Sequence, residues 1–129
     1  MNNPIRLGII GYGEVTQINH FPSLKFLEDL FEVTAISDVS ASALEGVGNR
    51  YHVKQRFLEY QELIESPDVD AVLITTPHAY HCEQTLAAIA AGKHVLVEKP
   101  MAMTLQDTDA IIEAQARAGV TVQVDYMRR

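Results

Sequence analysis

The sequence predicts an α/β fold: a doubly wound parallel sheet of about six strands in a single three-layer domain. Three observations predict it. Short apolar runs alternate with longer amphipathic stretches along the whole chain. A glycine-rich turn closes the first of those runs, at Gly11 and Gly13. The uninterrupted Ala71-Val72-Leu73-Ile74 run is of the kind found where both faces of a sheet are covered.

Each element follows from local signals. Residues 5–10 read as a buried strand, bounded by Pro4 and Gly11. A helix is expected over residues 14–29, kinked or split at Pro22. Residues 32–37 form a second strand, and Ser40 caps a helix over 41–50. A short third strand at 55–57 precedes a brief helix at 60–64, which the Ser66-Pro67 step closes. Residues 70–75 are the fourth strand, and a helix over 78–91 ends at Gly92. The fifth strand, at 95–97, stops before Pro100. Thr104 caps the last helix, which runs to 118 with Asp107 and Asp109 near its positive end and Gly119 beyond its far end. A sixth strand is expected at 120–124. Strand–helix alternation of this kind requires right-handed crossovers and places a ligand crevice at the carboxyl ends of the strands.

Composition narrows the function classes. The 129 residues are 47% apolar and 21% charged, enough for one domain whose core needs no metal or disulfide. The net charge of −7, with scattered bases, argues against a nucleic-acid partner. Cys82 has no internal partner to pair with, which predicts a reducing, cytoplasmic setting. The MNNPIRL start lacks a signal-peptide profile. The longest uncharged run, residues 71–82, is too short for a bilayer and contains Pro77, so no membrane partner is expected.

The turn Gly11-Tyr12-Gly13-Glu14-Val15-Thr16 has the frame of a dinucleotide-binding turn. Gly11 permits the tight bend, and Gly13 lets backbone N–H groups approach a pyrophosphate at a helix N-terminus. Thr16 stands where Gly or Ala is usual. Asp38 lies 22 residues past Thr16, at the end of the second strand, where a carboxylate can accept from an adenosine ribose. Asp38 also suits a helix cap or a turn, and both readings stay open. A carboxylate there repels a 2′-phosphate, and Val39 and Ser40 bring no cation, so NAD is favoured over NADP.

Thr75-Thr76-Pro77-His78 follows the fourth strand and Glu98-Lys99-Pro100 the fifth, on the same rim as the glycine turn. These segments, with His81, Ala91-Gly92-Lys93-His94-Val95, His20-Phe21-Pro22 and the terminal Tyr126-Met127-Arg128-Arg129, resemble the Gfo/Idh/MocA oxidoreductase family over essentially the whole chain. The resemblance implies a Rossmann domain of an NAD(P)-dependent enzyme that moves a hydride to or from a sugar, inositol or related polyhydroxy compound. It implies that Gly11, Gly13, Glu14, Val15 and Asp38 line the adenosine and pyrophosphate. Thr75, Thr76, Pro77, His78 and His81 would flank the nicotinamide, and Glu98 its ribose. Lys99 would reach cofactor and substrate as the catalytic residue, base or orienter, and Arg128 would lie near the rim. The family carries a second α+β domain, absent from this chain, that closes the substrate site and usually provides the interface of a homo-oligomer. The chain is therefore expected to be the amino-terminal domain of a longer protein and inactive alone. The alternative is a non-catalytic NAD(P)-binding sensor.

Other features have plainer readings. His78 and His81 sit at i, i+3, a metal-like spacing, but no second ligand cluster accompanies them and no metal is expected. Cys82 is expected to be a small apolar packing residue. Met101 and Met103 are expected to fill gaps, and Lys93 to neutralise the negative end of the helix before it.

Overall fold

The computed structural model describes residues 4–11, 29–98 and 101–125. Six strands make one sheet: β1 (Ile5–Ile10), β2 (Phe31–Ser37), β3 (Gln55–Phe57), β4 (Ala71–Ile74), β5 (His94–Glu98) and β6 (Val122–Asp125). Their order is β3-β2-β1-β4-β5-β6, and every pair is parallel. The chain winds outward from β1 to β3, returns to the middle at β4 and winds outward the other way. The switch point between β1 and β4 is where a doubly wound sheet opens its crevice.

Alternation along the strands builds two cores. Ile10, Val72, Ile74, Val95 and Val97 face one side, against Leu63 and Ile64 of α2 (Tyr60–Glu65), Ala88 and Ile89 of α3 (His81–Ala90), and Ile111 of α4 (Leu105–Ala118). Leu7, Ile9, Ile36 and Leu73 face the other, against Leu44 and Val47 of α1 (Ala41–Tyr51). Gly8 makes the first packing feasible. A Cβ there would stand 2.6 Å from Leu63 Cδ2, so the bare backbone is what lets α2 lie close.

Helix ends follow their cap residues. Ser40 Oγ accepts from the Ala43 N–H, and Thr104 Oγ1 from that of Asp107, each relieving an orphan donor of the first turn. Gly119, at φ +73°, terminates α4.

Some elements depart from expectation. The helix expected over 78–91 is divided into a 3₁₀ turn, His78–Tyr80, and α3. Pro77 starts this tight turn, and its carbonyl accepts from the Tyr80 N–H at 3.0 Å in place of a longer helical bond. The sixth strand begins at Val122, not at 120, because side chains take two of the backbone groups of its approach. Gln115 Nε2 donates to the Val120 carbonyl and the Thr121 N–H donates to His94 Nδ1. The helix expected at 14–29 lies outside the described residues. No described helix is long and apolar enough to cross a membrane.

Lys93 does not serve α3. Its Nζ donates to the Ser66 and Val69 carbonyls at 3.0 and 2.6 Å, neutralising the end of α2 instead. Met101 packs against the first core, whereas Met103 is exposed and fills no gap.

Candidate nucleotide-binding site

The carboxyl ends of β1, β2, β4 and β5 form one rim. Strand β1 leaves the sheet at Gly11, which takes φ +87°, a conformation that L side chains rarely adopt. A side chain there would also collide, since its Cβ would lie 2.8 Å from Thr76 Cγ2. Backbone bonds pin the turn from both sides. The Gly11 N–H donates to the Ser37 carbonyl at 2.8 Å, and the Thr75 N–H donates to that of Ile10 at 3.0 Å. Thr75 Oγ1 adds a 2.8 Å bond to the Gly11 carbonyl.

Asp38 follows β2, with its N–H on the Phe57 carbonyl at 3.2 Å. Its Oδ1 accepts from the Ser40 N–H at 2.9 Å, an Asx turn leading into α1. The turn role is therefore real. Val39 beside it is 92% exposed.

Past β4, Thr76 is held twice. Its hydroxyl donates to Gln84 Oε1 at 2.5 Å. Its carbonyl receives 2.7 Å contact from His81 Nε2, which must carry the proton because a carbonyl only accepts. His81 is 1% exposed, so the imidazole expected to flank a ligand faces the protein interior instead. Pro77 and His78 are exposed on the rim, with the His78 and His81 rings edge to face at 5.5 Å. Half-buried Glu98 closes β5, paired in register with Asp125. The structure thus gathers Gly11, Asp38, Thr75, Thr76, Pro77, His78 and Glu98 on one edge. Gly13, Glu14, Val15, Lys99 and Arg128 lie outside the described residues.

The sequence reading missed Gln84 and Thr85. Both are buried on the inward face of α3, which runs His81, Gln84, Thr85, Ala88, Ile89. The signal was available: an apolar face that turns polar in its first two turns, next to the crevice. Cys82 is half-buried, and desolvation followed by the Asp107 charge pushes its thiol up, the opposite of an activated nucleophile. The opposite edge, around the amino ends of the strands, is also concave. Its polar groups serve each other there: Arg6 grips Asp70, while Lys93 and His94 make the bonds given above.

The Gfo/Idh/MocA family model, an oxidoreductase family with an NAD-binding Rossmann fold, matches residues 5–126. The chain belongs to this family. Among Gfo/Idh/MocA relatives, the myo-inositol 2-dehydrogenase of Thermotoga maritima is 37% identical over 125 residues, 97% of this chain and 37% of the relative. A 3-ketoreductase from Actinomadura kijaniata, solved with NADP and TDP-benzene, superposes with TM-score 0.91 at 32% identity, covering 97% of this chain and 38% of that one. The WlbA dehydrogenase of Bordetella pertussis, solved with NADH and UDP-GlcNAcA, gives TM-score 0.89 at 29% identity over 95% of this chain and 37% of that one. The chain therefore spans little more than a third of the length of these Gfo/Idh/MocA proteins. Within that span it is the NAD-binding Rossmann domain of that oxidoreductase family.

Proposed function

We infer that the chain binds NAD in preference to NADP, and that its protein moves a hydride between this cofactor and a sugar, inositol or related polyhydroxy substrate. The observation that carries the first part is Asp38 at the end of β2. Relatives solved with NADP and with NADH leave the choice open at the family level. The local chemistry favours NAD. A ribose 2′-hydroxyl can donate to the Asp38 carboxylate, whereas a 2′-phosphate would meet like charge with no cation on Val39 or Ser40 to offset it. Gly11 fits the same reading, since a backbone with no Cβ and φ +87° is what a close turn beneath a pyrophosphate requires.

In this reading Gly11, Gly13, Glu14 and Val15 line the pyrophosphate. Thr75, Thr76, Pro77 and His78 flank the nicotinamide half, Glu98 approaches its ribose, and Arg128 stands near the rim. The bound dinucleotide supplies the hydride acceptor or donor. Lys99, next after Glu98, handles the other half of the chemistry: the substrate hydroxyl proton passes to its Nζ when the alcohol is oxidised and returns when the ketone is reduced. Inositol and sugar substrates are supported by the Thermotoga maritima relative and by the sugar-nucleotide ligand of the Bordetella pertussis structure. The net charge of −7 supports a small-molecule partner over nucleic acid, and the lone Cys82 a cytoplasmic setting. The rest of the proposal is a second domain that completes the substrate site and a homo-oligomeric whole.

Fluorescence titration with NADH and NADPH at equal ionic strength tests the cofactor choice. Asp38→Ala should weaken NADH roughly ten- to a hundredfold, as expected for losing a charged hydrogen bond, and NADPH far less. Equal losses would end the Asp38 reading. Lys99→Met should cut turnover of a polyol by about 10² or more in the whole protein and leave NADH affinity nearly intact. Undiminished turnover would make Lys99 a structural residue.

A further inference from the structure

The first turns of α3 hold a polar cluster that reaches the glycine turn without belonging to it. His81 is 1% exposed and Gln84 6%. Between them they take two polar groups of Thr76, its carbonyl at 2.7 Å and its hydroxyl at 2.5 Å. Thr76 in turn backs Gly11 so closely that a Cβ on the glycine would meet three Thr76 atoms within 3.2 Å. Thr75 bonds the Gly11 carbonyl from the same segment. A continuous line of contact thus runs from α3 through Thr76 to the turn.

We propose that His81 and Gln84 are positioning residues, which set the affinity of the glycine turn for its dinucleotide by fixing Thr76 and touch no part of the cofactor. This rests on the reading that the turn binds a nicotinamide dinucleotide. A buried imidazole donating to the carbonyl of half-buried Thr76 is a directional tie, and its loss leaves an acceptor without that partner. Thr76 could then rotate away from Gly11, and the turn would lose the wall that fixes its first residue. Precision of a few tenths of an ångström at such a turn depends on a locked supporting shell.

The test uses His81→Leu, which keeps bulk and removes the donor, and His81→Gln, whose amide can still donate. Both are read well below their unfolding midpoints, so that lost stability and lost positioning separate. The first readout is amide hydrogen exchange at Gly11 and Thr75, with Leu73 and Val97 as strand-interior controls. His81→Leu should speed exchange at Gly11 and Thr75 by about tenfold and leave the controls unchanged. The second readout is NADH titration. Its Kd should rise about tenfold in His81→Leu and return to within about threefold of wild type in His81→Gln. Gln84→Leu should reproduce both effects more weakly and stands in if His81→Leu does not fold. Unchanged exchange at Gly11 and Thr75 would overturn the proposal whatever the cofactor does. Faster exchange with an unchanged Kd would overturn the link to binding. Wild-type protein that binds no NADH would defeat the cofactor reading, while the exchange data would still decide whether α3 holds the turn.

Discussion

Thr85 shows how the inward face of α3 trades stability for shape. Its side chain is fully buried, and among the described residues Oγ1 has no hydrogen-bond partner. A buried hydroxyl without a partner costs roughly 1–3 kcal/mol, and valine has the same branched outline without that cost. Thr85→Val is therefore expected to be neutral or to stabilise the fold by up to about 1 kcal/mol, read as the urea midpoint. A loss larger than that would mean that the hydroxyl has a partner. Single residues were legible in the sequence wherever their role is local. Ser40 and Thr104 are caps because a hydroxyl reaches the N–H three residues on, and Gly11 ends a strand because of its backbone. His81 was not legible in this way. Its bond to the Thr76 carbonyl depends on how tightly the 3₁₀ turn folds α3 back over the end of β4, which no spacing rule states.

At the scale of elements, the Arg6–Asp70 ion pair ties the amino edge of the sheet. Arg6 opens the middle of β1, and its guanidinium meets both Asp70 oxygens at 3.1 and 2.9 Å, while the Arg6 N–H donates to Oδ2 as well. The Arg6 side-chain hydrogen bonds, then its backbone N–H, hold the Asp70 carboxyl below its ordinary value. A depressed carboxyl stabilises the fold above its unfolded pKa, and that stabilisation is lost as pH falls through the lower folded value. Asp70→Asn should therefore be less stable than wild type at neutral pH, by a modest margin because the pair is some 40% exposed and screened. The gap should be constant above about pH 5 and close as pH drops below about 4. Urea unfolding from pH 7 to 3 measures it, and a gap that persists unchanged to pH 3 would show that the charge contributes nothing. Strand cores were legible through their apolar runs, and β1 and β3 fall where periodicity places them. The start of β6 was hidden because side chains of Gln115 and His94 take the Val120 carbonyl and the Thr121 N–H, leaving the Thr121 carbonyl to bond the Val95 N–H.

The whole molecule places its chemistry by topology. Strand order β3-β2-β1-β4-β5-β6 brings the ends of β1 and β4 together, so Gly11 and Thr76 touch although 65 residues separate them in the sequence. That order was legible in outline, because strand–helix alternation permits few arrangements. The rim it creates carries the turn, Asp38, Thr76 and Glu98 on four adjacent strands, so a ligand bound there contacts both halves of the sheet at once. Such a ligand stabilises the domain as a unit, since it binds the assembled rim and has no counterpart in the unfolded chain. NADH at about a hundred times its Kd should add about 2.7 kcal/mol of stability. For a domain of this size that corresponds to a rise in Tm on the order of 10 °C. NADPH at the same concentration should raise it less, because Asp38 disfavours the 2′-phosphate and lowers the occupancy. Thermal melts followed by circular dichroism at several ligand concentrations measure both. The shift should grow with the logarithm of NADH concentration once the site is saturated. A folded chain whose Tm stays unchanged in saturating NADH would remove the dinucleotide from this crevice, and Asp38 would be left as the Asx turn that starts α1.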